Sequence, residues 1–247
     1  MTATIQTIIN GKQVPRTQVL AWEKQRALAV LKKLGVKPAG QDLPALHRQL
    51  LERKAELGPE GLMRLLRWEL AISDRMTALV VHLSRGARRF CVTELVVAQG
   101  SAEQFVAWYE AAARANEERA LLGATPDHYL LHTDADGVMQ VVETTGGSPL
   151  ASRFFIDLAN TNLESLRSPI DLAFPVQFAG VARIANGLVI GGVRHQFRNE
   201  GSGFRARLTV EFPRLMPPGM IGGHQWHLAS EFANWIEAAL SDGGATC

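Results

Sequence analysis

Cysteine is almost missing from this 247-residue chain: there are two, Cys91 in an apolar strand-like run and Cys247 as the last residue. A structural disulfide is not expected, and a reduced, cytoplasmic setting follows from that usage. An excess of charge of one sign is missing too. Lys and Arg number 26 against 24 Asp and Glu, a formal net charge of +2. The densest basic clusters, Arg85 with Arg88 and Arg89, and the trio Arg198, Arg205 and Arg207, are too short for a dedicated nucleic-acid binder. Long apolar runs are also absent. The most hydrophobic helical stretch, LAISDRMTALVVHL, carries Asp74 and Arg75, which excludes a conventional membrane span. MTATIQTIINGKQVPR has no apolar run behind basic residues, so no signal peptide is expected. Internal repeats and low-complexity segments are absent.

What is present is an ordinary globular composition, 47% hydrophobic and 20% charged, on a length that suits one large domain or a core domain with a smaller companion. The first third is helical in pattern. Thr17 to Leu34 is closed by Gly35, Leu43 to Leu57 follows, and Pro59 opens a long helix to about Leu83, closed near Gly86. These three amphipathic segments cannot bury all their leucines as a short isolated bundle. Residues 1–88 are therefore expected to form a helical subdomain used for self-association, with a homodimer the natural outcome.

Residues 89–247 change character. RRFCVTELVV is strand-like, Ser101 with Gln104 is a capping box, and FVAWYEAAARANEERALL is a helix. HYLLHT and VMQVVET flank a hairpin turn at Asp134–Gly137, and ASRFFIDL and DLAFPVQFAGVARI follow. LVIGGVRHQFR and FRARLTVEF form a second hairpin about NEGSG, and a helix from about Gly219 to Leu240 closes the chain. Antiparallel strands ending in one amphipathic helix predict an α+β domain, a curved sheet with helices on one face and a cavity between them for a small apolar ligand.

Seven residues stand out chemically. His195 shares a strand face with Val193 and Phe197, so it points toward core or cavity. It is either a hydrogen-bonded core histidine or a general acid–base group. In GGHQWHLASEFANW, His227 and Glu231 lie one helical turn apart and can converge on one ion; the plain alternative is an i,i+4 hydrogen bond. His224, a turn earlier, is expected to be exposed or to stand behind the ligands. His128 and His132 share a strand face in DHYLLH. Glu143 ends VMQVVET on the face of Met139 and Val141, as a ligand or as an exposed strand end.

Taken together, DHY around His128, VMQVVETTGG around Glu143, VRHQFRNEGSGFRARLTVEF and WHLASEFANW resemble the phloretin hydrolase and diacetylphloroglucinol hydrolase family over roughly residues 90–240. The resemblance implies a START-like helix-grip fold and a zinc-dependent enzyme. It implies His227, Glu231 and Glu143 as zinc ligands and His195 as the acid–base histidine beside them. The family's further histidine, expected from FVAWYEAAARA, has no counterpart there, and His128 is the residue expected to fill that place. The implied reaction is hydrolysis of a carbon–carbon bond between an acyl group and an electron-rich aromatic ring. A metal-free polyketide-type cyclase or aromatase on the same fold, and a non-catalytic carrier or sensor of a small apolar ligand, are the alternatives. Neither nucleic acid nor membrane is an expected partner.

Overall fold

The computed structural model describes residues 4–159 and 162–243, so Cys247 lies outside the described residues. The chain opens on two short strands, β1 (Ile5–Ile9) and β2 (Lys12–Val14), joined by Asn10 and Gly11, both at positive φ. That Asn-Gly pair is a tight hairpin signal. The two strands lie within the stretch expected to be helical, yet β1 pairs antiparallel with the strand at residues 88–97. The first segment thus belongs to the sheet.

Two helices follow. Helix α1 (Arg16–Lys33) buries Val19, Glu23, Ala27, Val30 and Leu31 along one stripe. Helix α2 (Leu43–Ser84) starts at Asp42, whose carboxylate accepts from the Ala45 N–H. It is one element broken at Gly58, which takes φ 61° just before Pro59. Proline at the start of the second half costs no hydrogen bond there, and glycine supplies the kink. Left-handed Arg85 and Gly86 end it.

Strand β3 (Arg88–Val97) leads to α3 (Ala102–Ala115), capped by Ser101, whose hydroxyl accepts from Gln104 N–H. The single helix expected through Leu122 is in fact two, α3 and the short α4 (Glu118–Gly123). Asn116 breaks it by turning left-handed, and its amide exchanges two hydrogen bonds with the Thr133 backbone. Strands β4 (His128–Thr133) and β5 (Val138–Glu143) form the first hairpin, where Asp134 accepts from Asp136 and Val138 N–H and Gly137 supplies positive φ. Strand β6 (Ser152–Asp157) pairs with β5; β7 begins only at Val176 (Val176–Arg183); β8 (Val189–Glu200) and β9 (Gly203–Pro213) make the second hairpin. Helix α5 (Pro218–Gly243) closes the chain.

The result is an α+β architecture: one curved, nine-stranded antiparallel sheet in the order β2-β1-β3-β9-β8-β7-β6-β5-β4, gripping α5. Phe105, Phe197, Phe204, Phe232 and Trp235 fill the space between sheet and helices. A second core joins α1 and α2 to the far strands, with Leu31, Leu46 and Leu66 against Tyr129, Leu130 and Val142. Among the described residues no helix is long and apolar enough to cross a membrane.

Lys54 interrupts that second core. It is 3% exposed, donates to the Pro126 carbonyl at 3.0 Å and lies 5.8 Å from the Tyr129 ring centroid. Burial pushes its ammonium down to about 7, against a smaller opposing pull from Asp127, whereas an unfolded lysine stays near 10.5. Between those values the unfolded chain binds more protons, so this group makes stability rise with pH from about 7 to about 10.5 and costs most below pH 7. Lys54→Met is expected to add on the order of 2–4 kcal/mol at pH 6 and little at pH 10.5, read by urea unfolding at both values. A gain independent of pH would show that the buried ammonium is not the cost.

Candidate metal centre

Between the inner face of the sheet, α5 and the second half of α2 lies a cavity of about 270 Å³. Its walls are mostly apolar and aromatic, with Tyr109, Met139, Val141, Phe178, Phe232 and Trp235 among them. Four polar side chains meet on its lining: His128, Glu143, His227 and Glu231, each no more than 7% exposed.

Local structure brings them together. His128 and Glu143 are cross-strand partners at the open end of the β4–β5 hairpin, away from its turn. Past Glu143 the chain turns through Thr145–Gly147, which rests on the start of α5. Two glycines permit that approach. A Cβ on Gly146, at φ 59°, would sit 2.2 Å from the Met220 carbonyl oxygen, and one on Gly223 would sit 2.0 Å from the Gly146 oxygen. Glu143 is thereby seated over the α5 face that carries His224, His227 and Glu231.

The distances are short enough for these side chains to share one ion. His128 Nε2 lies 3.4 Å from Glu143 Oε2 and 3.1 Å from Glu231 Oε1; His227 Nε2 lies 3.6 Å from Glu143 Oε2 and 3.7 Å from Glu231 Oε2. Ligands about 2.0–2.2 Å from zinc in a tetrahedron stand about 3.3–3.6 Å from one another. Several of these groups also lack an ordinary partner. Both nitrogens of His227, His128 Nδ1 and Glu143 Oε1 are buried without a hydrogen bond, which is costly unless something else satisfies them. Two overlapping sets, His128–His227–Glu231 and Glu143–His224–His227, could hold a metal ion.

The electrostatics fit a site that exchanges a proton for a cation. Burial alone would lower the His128 imidazolium, but Glu231 and Glu143 outweigh it and raise it to about 9. Burial would raise Glu143, yet His227, His128 and His224 hold its carboxyl well below the usual range. His195 and His224 go the other way: burial first, then neighbouring histidines, pushes each down to about 3, so both are neutral at physiological pH.

His195 lies on the inner face with Val193 and Phe197, lines the cavity, and packs its ring against Phe178 and Phe232 at 5.1 and 4.9 Å between centroids. His224 departs from expectation. It is buried at 6%, stacks on His227 at 4.9 Å, and joins the cluster because α5 is enclosed over most of its circumference. His132 is exposed and apart from His128. A bulge between His128 and Leu130 breaks the two-residue alternation that put them on one face. From α3 it is Tyr109 that reaches the cavity, while Ala112 and Ala113 pack in the core.

Sequence reasoning missed Asp127 and Arg26. Asp127 is fully buried, receives three hydrogen bonds from the Arg26 guanidinium at 2.7–3.1 Å and one from the Thr144 hydroxyl, and stands 4.0 Å from His227 Nδ1. Asp127 precedes His128 in DHY, a sequence signal of its own; nothing local marks Arg26, which arrives from α1. Asn234 of WHLASEFANW bonds Glu23 and the Ala124 carbonyl, tying α5 to α1. No protein-family model matches the chain, and no curated protein matches it.

Proposed function

We propose that the protein is a zinc-dependent hydrolase on a START-like helix-grip fold, cleaving the carbon–carbon bond between an acyl group and an electron-rich, phloroglucinol-like ring. The observation that carries this is that His128 and His227 each stand 3.1–3.7 Å from both Glu143 and Glu231 on the lining of an apolar cavity. A metal-free cyclase or a carrier would have no use for two carboxylates and two imidazoles buried in that arrangement.

His128, Glu143, His227 and Glu231 would hold the zinc, which when bound supplies Lewis acidity toward a carbonyl and toward water. The aromatic wall formed by Phe178, Phe232 and Trp235 suits a planar ring and excludes bulk water. Hydrolysis sends a hydroxyl to the acyl carbon, releasing a carboxylic acid, and a proton to the ring carbon. His195 is the group placed for that proton: its imidazole lines the cavity and its Nδ1 has no hydrogen-bond partner. A cytoplasmic setting agrees with buried, unpaired Cys91, whose thiol burial pushes up to about 12.

Protein purified without added metal is expected to carry about one zinc per chain, and zinc restored after chelation should restore release of carboxylic acid from an acylphloroglucinol. Lack of stoichiometric metal, with no gain on reconstitution, removes this reading. Intact ligand recovered from zinc-loaded protein favours the carrier instead.

A further inference from the structure

One side of the cavity comes neither from the sheet nor from α5. Ser73, Met76, Thr77 and Val80 of α2 line it, at the i, i+3, i+4 and i+7 spacing that puts four side chains on one helical face. From Ala71 to Leu83 the helix buries no side chain. This stretch therefore has no core of its own beneath it and spans the cavity between two ties. The Asp74 carboxylate pairs with the Arg153 guanidinium at 3.4 Å, and the Ser84 hydroxyl accepts from the Leu215 N–H at 3.1 Å. A wall with empty space under it lacks contacts that a ligand would supply.

The sheet register says which part of a ligand reaches that wall. Ile156 of β6 pairs with Ala182 of β7. From that pair Arg153 lies one way along the strands, and Phe178, whose ring packs on His195 and Phe232, lies the other. Glu143 pairs with Ser152, the neighbour of Arg153. Glu143 thus stands on the α2 side of the aromatic wall. A ligand with its ring on Phe178 and its carbonyl beside Glu143 sends its acyl chain toward α2.

Volume limits that chain. Benzene fills an engineered cavity of ~150 Å³, roughly 25 Å³ per non-hydrogen atom, so about 270 Å³ holds on the order of eleven. A ring with three hydroxyls takes about nine of them, leaving space for an acetyl group or little more. Thr77 and Val80 are branched at Cβ and stiff, whereas Met76, 56% exposed at the rim, is flexible.

We propose that α2 is the acyl-selecting wall of this site: Thr77 and Val80 stop the chain, and the substrates are aryl ketones with an acyl group of about two or three carbons. The identity of the ligand rests on the hydrolase reading above, while the selectivity of the wall can be read in binding alone.

The test compares acetyl-, butanoyl- and hexanoylphloroglucinol, by kcat/KM on zinc-loaded protein and by calorimetric Kd on metal-free protein. The unaltered chain should favour acetyl over hexanoyl by more than about tenfold, since one methylene is worth that much in a closed pocket. Val80→Ala should raise the hexanoyl-to-acetyl ratio about tenfold and Val80→Phe should lower it by as much, in KM and Kd rather than in kcat. A preference for hexanoyl in the unaltered chain, or a ratio that Val80→Ala leaves unmoved in a protein of unchanged far-ultraviolet circular dichroism, overturns the proposal. If no compound is hydrolysed but Kd follows this order, the hydrolase reading falls and the α2 wall stands. If all are hydrolysed with a ratio fixed across the variants, the wall alone falls. Binding of none of the three removes both.

Discussion

His227→Ala is expected to leave a folded protein that no longer retains metal. A four-ligand zinc site contributes about 10–16 kcal/mol, so losing one donor of four costs roughly 10²–10³-fold in affinity. The same substitution removes a buried imidazole whose two nitrogens have no hydrogen-bond partner, so the metal-free fold should not suffer in proportion. Chelator competition, with metal content per chain, reads the loss. Retained stoichiometric metal would mean that the ion is held elsewhere, and would remove the four-donor centre.

Proton linkage gives the same experiment a second axis. His128 is raised to about 9 because Glu231 and Glu143 outweigh its burial. It must release that proton to act as a ligand, so metal affinity should climb about tenfold per pH unit up to about pH 9. In the metal-free protein the sign reverses. A folded value above the unfolded 6.5 gives stability fully present below pH 6.5 and lost as pH rises through about 9. The gap in melting temperature between loaded and metal-free protein should therefore widen from pH 6.5 to 9.

How much of this was visible in the sequence depended on how local the cause was. Asp42 and Ser101 cap their helices within a single turn, and Asp134 builds its hairpin from its own neighbours, so those boundaries could be read directly. His227 and Glu231 are a helical turn apart, and that spacing alone placed them on one side. Glu143 and His128 needed the β4–β5 register, which the turn at Asp134–Gly137 sets within fifteen residues. What stayed hidden were events across the chain. β1 finds β3 some ninety residues on, between Ile5 and Val97, and the bulge after His128 falls where Tyr129 and Leu130 pack against α1 and α2. His224 was misjudged because a helix with so much of its surface enclosed has no wet face to offer.

Asp127 is where the N-terminal helices enter the chemistry, and replacing it should have the second large effect. Its carboxylate takes three hydrogen bonds from Arg26 of α1 and one from Thr144, next to Glu143, while facing His227 Nδ1 at 4.0 Å. A carboxylate behind a metal-ligating histidine fixes the tautomer and ring orientation, and its loss typically costs 10–100-fold in metal affinity. Asp127→Asn should lose that much, together with about 2–3 kcal/mol of stability from the stranded guanidinium, discounted because Arg26 keeps some solvent contact. The two losses can be separated. Pairing Asp127→Leu with Arg26→Met replaces a buried ion pair with apolar groups of similar volume, a change that is often neutral for stability. Stability should then recover in urea unfolding while zinc affinity stays low, because no carboxylate stands behind His227 Nδ1. If affinity returns with stability, Asp127 only holds α1 in place; if affinity stays low, helix α1 orients a metal ligand through it.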